Sequence, residues 1–190
     1  MRLIIGISGS SGVIYGIRLL ELLKELPEVE THLVISPTGK MNIPIETDWT
    51  IKGVEALADE VHRAADVGAS IASGSFKTDG MIIAPCSMKS LSAIVNSYAD
   101  NLLVRAADVV LKEGRKLVVV PRESPLHAGH CRLIYEASTL GAVIAPPMPA
   151  FYNRPETIDD MINHTAGRVL DLFGLDAGCV QRWEGRLTEP

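Results

Sequence analysis

Short blocks of Ile, Val and Leu alternate along the chain with longer stretches whose apolar residues recur at helical spacing. The blocks predict strands over Arg2–Ser8, Thr31–Ser36, Met81–Ala84, Leu117–Val120 and Ala142–Ala145. Between them the spacing predicts a helix over Val13–Leu26, stopped by Pro27, and another opening near Met88. Further helices are expected over Val104–Glu113, with Gly114 as the stop, over Pro125–Leu140, and from Pro155 to near Phe173. Pro146–Pro149 reads as a rigid extended loop, and Thr47–Ser75, the least regular stretch, as one helix and a loop. Strands alternating with helices mean βαβ units and a parallel sheet covered on both faces. Such sheets bind ligands beyond the carboxyl ends of their strands. Chemically useful residues gather at those ends: Ser8–Gly12, Ser36, Pro85–Ser87, Arg122 and Glu123. No repeat or linker divides the chain, so one domain is expected over 1–173 with a tail over 174–190.

Composition narrows the classes. At 190 residues, 47% apolar but only 5% aromatic, the chain can build one core from aliphatic side chains. No apolar run approaches the roughly 20 residues a membrane helix needs. The first strand ends in Gly and Ser, without the flanks of a secretory signal. These features predict a cytoplasmic protein with no membrane partner. A net charge of −5 disfavours nucleic acid, so an anionic ligand needs a local basic cluster. Cys86, Cys131 and Cys179 are odd in number and lack CxxC spacing, as reduced thiols do.

The first turn is Gly6-x-x-Gly9-x-x-Gly12, where glycines let a phosphate approach a helix N-terminus or simply permit a tight strand–helix turn. The spacing is not that of a dinucleotide fingerprint, and Ser36 ends the second strand where such a site wants an acid. Gly39-Lys40-Met41 is not a Walker loop. A mononucleotide fits better. Arg105 and Lys112, seven apart, share a helix face; Arg122 follows the next strand and Arg168 lies on the last helix. Any one alone reads as a solvated charge; with Lys89 they form a possible phosphate clamp. Glu123 beside a bound phosphate could donate a proton, but as a helix-leading acid it has an ordinary explanation, which the residues alone favour. His127 and His130 lack a second ligand pair for a metal, and Asp159-Asp160-x-x-Asn163 sits where acids favour a helix start. No catalytic metal is expected.

The runs Ile7–Gly12, Glu46–Asp48, Ser73–Phe76, Pro85–Lys89, Arg105–Val109, Lys112–Arg115, Val120–Glu123, Pro146–Tyr152 and Arg168–Asp171 together resemble the UbiX-type flavin prenyltransferases. The resemblance spans about residues 2 to 185 in order. It implies an α/β, Rossmann-like (flavodoxin-type) three-layer parallel sheet, assembled as a homo-oligomer, usually a dodecamer, with sites between subunits. It also implies transfer of a dimethylallyl group from dimethylallyl monophosphate to reduced FMN, at N5 and then C6, without a metal. The product, prenylated FMN, passes to UbiD-type decarboxylases. Carried over, the flavin contacts are Gly9, Ser10, Ser11, Ser36, Ser87, Met88, Lys89, Ser90 and Arg122. Arg105, Lys112, Arg122, Tyr152 and Arg168 meet the prenyl phosphate; Glu123 protonates it; Ser11 and Glu46 move protons near the flavin. Trp183 matches a tail tryptophan over the site, and Ser10 stands where relatives often carry alanine.

Two other functions are compatible with a flavin-binding α/β domain. A flavin-dependent cysteine decarboxylase would need a catalytic histidine and an Asn-containing motif after the middle strand; here Pro85–Lys89 holds no Asn, and His62 lacks matching surroundings. A non-catalytic FMN carrier has no use for a second phosphate site.

Overall fold

The computed structural model describes residues 1–185. Six strands form one sheet: β1 (Arg2–Ile7), β2 (Glu30–Ile35), β3 (Glu60–Arg63), β4 (Gly80–Cys86), β5 (Lys116–Pro121) and β6 (Val143–Ile144). Their order is β3-β2-β1-β4-β5-β6 and every pairing is parallel. The five strands from β2 to β6 across the sheet reproduce the flavodoxin order, and β3 extends it to the six-stranded Rossmann order. The expected three-layer α/β fold is the one observed.

Alternation within the strands builds two cores. Leu3, Ile5, Ile7, Leu33 and Ile82 face one layer, with α1 (Val13–Lys24) and α7 (Ile158–Asp171). Ile4, Val34, Met81, Ile83 and Val119 face the other, with α4 (Met88–Val95), α5 (Leu102–Lys112) and α6 (Ala128–Thr139). All seven residues of β4 are buried, as a central parallel strand requires. No helix among the described residues is long and apolar enough to cross a membrane.

Three expectations need correction. Thr47–Ser75 holds more than a helix and a loop: a short helix α3 (Ile51–Glu55), the edge strand β3 and a single 3-10 turn at Ser70–Ala72. Pro125 does not open α6. That helix starts at Ala128, capped by His127, whose Nδ1 accepts the Gly129 N–H at 3.0 Å. The final helix starts at Ile158 rather than Pro155, because Thr157 and Asp160 form a reciprocal capping box. A further helix, α2 (Pro37–Glu46), follows β2 directly. Of the tail expected over 174–190, residues 186–190 lie outside the described residues; 174–185 form no helix or strand.

Candidate functional site at the sheet switch point

The strand order reverses between β1 and β4, where the chain leaves the two strands in opposite directions and opens a crevice. Ser8, fully buried, locks its floor. Its Oγ donates to the Pro85 carbonyl at 2.8 Å and accepts the Ser87 N–H at 2.7 Å. Three helices point their N-termini at this edge. Gly12 caps α1 in the left-handed region at φ 100°, a conformation open to glycine. Ser36 caps α2, accepting the Gly39 N–H at 3.0 Å. Ser87 caps α4, accepting the Ser90 N–H at 3.2 Å and donating to Ser90 Oγ at 3.1 Å. Met88, Lys89 and Ser90 are thus the first turn of α4, and the three N-termini favour negative charge.

Gly9–Ser11 form the rim. A Cβ on Gly9 would overlap Thr38 Cβ and stand 2.7 Å from its Cγ2, so only glycine lets α2 approach the loop this closely. Among the described residues, the N–H groups of Gly9, Ser10 and Ser11 have no acceptor. Ser10 Oγ is buried and likewise unpartnered. Unpaired donors cost free energy unless water or a ligand satisfies them. This donor set suits the phosphate and ring edge of a mononucleotide.

Two charged groups reach the rim. The Glu46 carboxylate, at the end of α2, accepts the Gly12 N–H at 2.7 Å and the Val13 N–H at 3.2 Å. It covers the N-terminus of α1. Arg122, just beyond β5, reaches back so that its Nε donates to the Ser11 carbonyl at 3.2 Å. Glu123 follows it, exposed, accepting the Ser124 N–H at 3.1 Å. Ser11, Glu46 and Arg122 are therefore one cluster.

The remaining predicted residues form two other groups. Tyr152 and Arg168 line a cavity of about 340 Å³ with Val180, Arg182 and Trp183. The Trp183 ring meets Tyr152 edge-on at 5.8 Å, and Asp171 binds both Arg168 (2.6 Å) and Arg182 (2.9 Å). Those two cations, Arg182 foremost, hold the Asp171 carboxyl below its ordinary pKa. Arg105 and Lys112 lie on α5. Arg105 donates to the Ala72 carbonyl at 3.1 Å and pairs with Asp108 at 2.7 Å; Lys112 pairs with Glu113.

Direction separates Lys112 from the crevice. α5 opens at the carboxyl edge, where the Leu102 N–H bonds the Ala64 carbonyl just past β3. It then runs back about 15 Å to end beside the start of β5. Lys112 therefore lies at the opposite edge of the sheet from Ser11, and one chain does not bring them together. Sequence reading missed two residues that complete these groups. Asn42 donates to the Ser10 carbonyl at 3.3 Å, and His164 meets the Tyr152 hydroxyl at 3.2 Å. The i, i+4 spacing of His164 and Arg168 was the available signal for the second.

Other candidates are accounted for locally. Among the described residues no group of three or more His, Cys, Asp or Glu is placed to hold a metal ion. Asp159 pairs with Arg18 at 2.6 Å and Asp160 belongs to the capping box. His127 and His130 stack on each other, centroids 3.7 Å apart.

The flavoprotein family profile matches residues 1–165. The flavin prenyltransferase UbiX of Escherichia coli (strain K12) is 56% identical over 186 residues, covering 97% of this chain and 98% of that protein. A dodecameric FMN-dependent UbiX-like decarboxylase from Escherichia coli O157:H7 superimposes with a TM-score of 0.96 at 54% identity, covering 97% of this chain and 100% of the other. AnUbiX (PadA1), solved in complex with FMN and dimethylallyl pyrophosphate, also gives a TM-score of 0.96, at 48% identity over 98% of both chains. The residues that build the crevice and the similarity along the whole chain agree: this protein belongs to the flavoprotein family and, within it, to the UbiX-type flavin prenyltransferases.

Proposed function

We propose that the protein transfers a dimethylallyl group from dimethylallyl monophosphate to reduced FMN and releases prenylated FMN to a UbiD-type decarboxylase. The observation that carries this reading is the rim of the crevice, where three N–H groups and the Ser10 hydroxyl have no partner among the described residues, beside Arg122. Gly9, Ser10, Ser11, Ser36, the Ser87–Ser90 turn and Arg122 hold FMN. Reduced FMN supplies the nucleophilic ring atoms, N5 first and then C6.

The chain's own task is to make phosphate leave. As the allylic C–O bond breaks, its electron pair stays on the phosphate. Arg105, Lys112, Arg122, Tyr152 and Arg168 offset that charge, each well-placed donor contributing on the order of 3 kcal/mol to the transition state. Glu123 gives the departing phosphate a proton. Ser11, whose carbonyl is fixed by Arg122, and Glu46, fixed on the N-terminus of α1, sit where protons move near the flavin. Because α5 carries Lys112 away from the rim of its own chain, Lys112 serves the crevice of a neighbouring copy. A homododecamer, the assembly described for the relative from Escherichia coli O157:H7, provides such neighbours.

Anaerobic incubation of the purified protein with reduced FMN and dimethylallyl monophosphate tests the reading. Mass spectrometry should find flavin heavier by one dimethylallyl unit. Flavin bound but unchanged in mass identifies a carrier instead.

A further inference from the structure

His164 is the side chain that neither the strand-end pattern nor the resemblance singled out. It is buried on α7, one turn before Arg168, and its two ring nitrogens have unlike surroundings. Nε2 lies 3.2 Å from the Tyr152 hydroxyl, while Nδ1 is buried with no partner among the described residues. Burial first, and then the charge of Arg168, lowers the pKa of the ring below 6.5, against a smaller opposing pull from Asp171. At neutral pH the imidazole is therefore uncharged and carries one proton.

The location of that proton decides what Tyr152 can do. On Nδ1 it would be a buried N–H with nothing to receive it; a bare Nδ1 leaves only an unused lone pair, the cheaper defect. Nε2 then carries the proton and donates it to the phenol oxygen. A phenol oxygen that accepts keeps its own O–H free to donate elsewhere. The reverse tautomer would spend the tyrosine proton on His164 and turn a lone pair toward any incoming anion.

We propose that His164 is a positioning residue: its Nε2–H donates to Tyr152 Oη and presents the tyrosine O–H, alongside Arg168, to the phosphate ester of the substrate. The proposal rests on the reading of Tyr152 and Arg168 as phosphate ligands. It is specific to the ester and leaves FMN binding untouched.

Solid-state ¹⁵N NMR of histidine-labelled protein reads the tautomer directly. Loss of one signal set in His164→Gln assigns the residue; protonated Nε2 is expected, and protonated Nδ1 overturns the proposal. Kinetics test the consequence. His164→Leu should lower kcat/KM for dimethylallyl monophosphate about tenfold, the worth of a hydrogen bond to a charged group, with FMN affinity held. His164→Gln, whose amide N–H reaches the same oxygen, should restore kcat/KM. In a Tyr152→Phe background, His164→Leu should add nothing. Multiplying effects, or a Gln variant as poor as Leu, overturn the proposal. If the Leu variant does not assemble, the Gln variant and the NMR signal still decide. The tautomer is read in resting protein, so its failure differs from failure of the prenyltransfer reading, which shows as unchanged flavin mass in the wild type.

Discussion

Glu123 and Cys86 sit at the carboxyl ends of adjacent strands and illustrate opposite uses of a titratable group. The Glu123 side chain is exposed beside Arg122 and, among the described residues, tied only to the Ser124 N–H. Gln in its place keeps the shape and removes the proton. Glu123→Gln should bind FMN normally and turn over about 10²–10⁴-fold more slowly, the usual worth of a general acid. A wild-type rate would remove Glu123 from that role. Cys86, by contrast, is fully buried, and burial alone pushes its thiol from 9.0 up to about 12. It remains an S–H at any working pH, which argues against thiolate chemistry in the motif that closes β4. The folded state keeps this proton to higher pH than the unfolded chain does. The stability it contributes is therefore complete below pH 9 and is lost as pH climbs toward 12. Alkylation of native protein at pH 8, followed by peptide mapping, should leave Cys86 unmodified; a Cys86 adduct before unfolding contradicts the burial. The crevice rim was legible as single residues because Gly9, Gly12 and Arg122 occupy strand ends that a periodicity reading locates. His164 was not, because its only mark was the i, i+4 spacing to Arg168, and its partner Tyr152 lies on another segment.

At the scale of elements, legibility followed burial. β1, β4 and β5 are buried on both faces and read as continuous aliphatic runs. β3 escaped because it is a four-residue edge strand, Glu-Val-His-Arg, with three exposed positions. α2 escaped because Pro44 falls inside it, although Ser36 and Pro37 form a regular start. The start of α7 was misplaced because Pro155 drew the boundary that Thr157 in fact sets. That cap is testable. Thr157 Oγ1 accepts the Asp160 N–H at 3.1 Å while Asp160 accepts the Thr157 N–H at 2.8 Å. Thr157→Ala removes the first bond and should lower Tm by about 2–4 °C, as loss of a cap does in a chain of this size. An unchanged melting curve would mean that packing of α7 on α1 alone fixes the helix start. The same bonds account for Asp160: the Thr157 backbone N–H is the first cause holding its carboxyl below 3.8. An aspartate engaged in this way is a cap, and its pairing with Asp159 needs no metal to explain it.

The whole molecule poses the question that no single chain answers. Helix direction, not helix content, separates Lys112 from the crevice: α5 must run antiparallel to the strands, so its two ends face opposite edges of a sheet about 20 Å deep. Sequence spacing placed Arg105 and Lys112 on one face, but it carried no information about which edge that face would serve. If the proposed ester site is shared, each crevice contains Glu123 from one copy and Lys112 from another. Two inactive variants should then complement each other. Lys112→Ala protein and Glu123→Gln protein, each nearly inactive alone, are mixed under conditions that dissociate and reassemble the oligomer. Random equal mixing leaves about a quarter of crevices with a wild-type residue at both positions, because the two come from different chains of a symmetric assembly. Activity should therefore recover toward that fraction of wild type, with native mass spectrometry verifying that subunits have exchanged. If both residues acted from one chain, every crevice would still lack one of them and exchange would restore nothing. A mixed assembly as inactive as its parents would thus return Lys112 to the ordinary role of a surface charge paired with Glu113, and leave the crevice to work with Arg122 of its own chain.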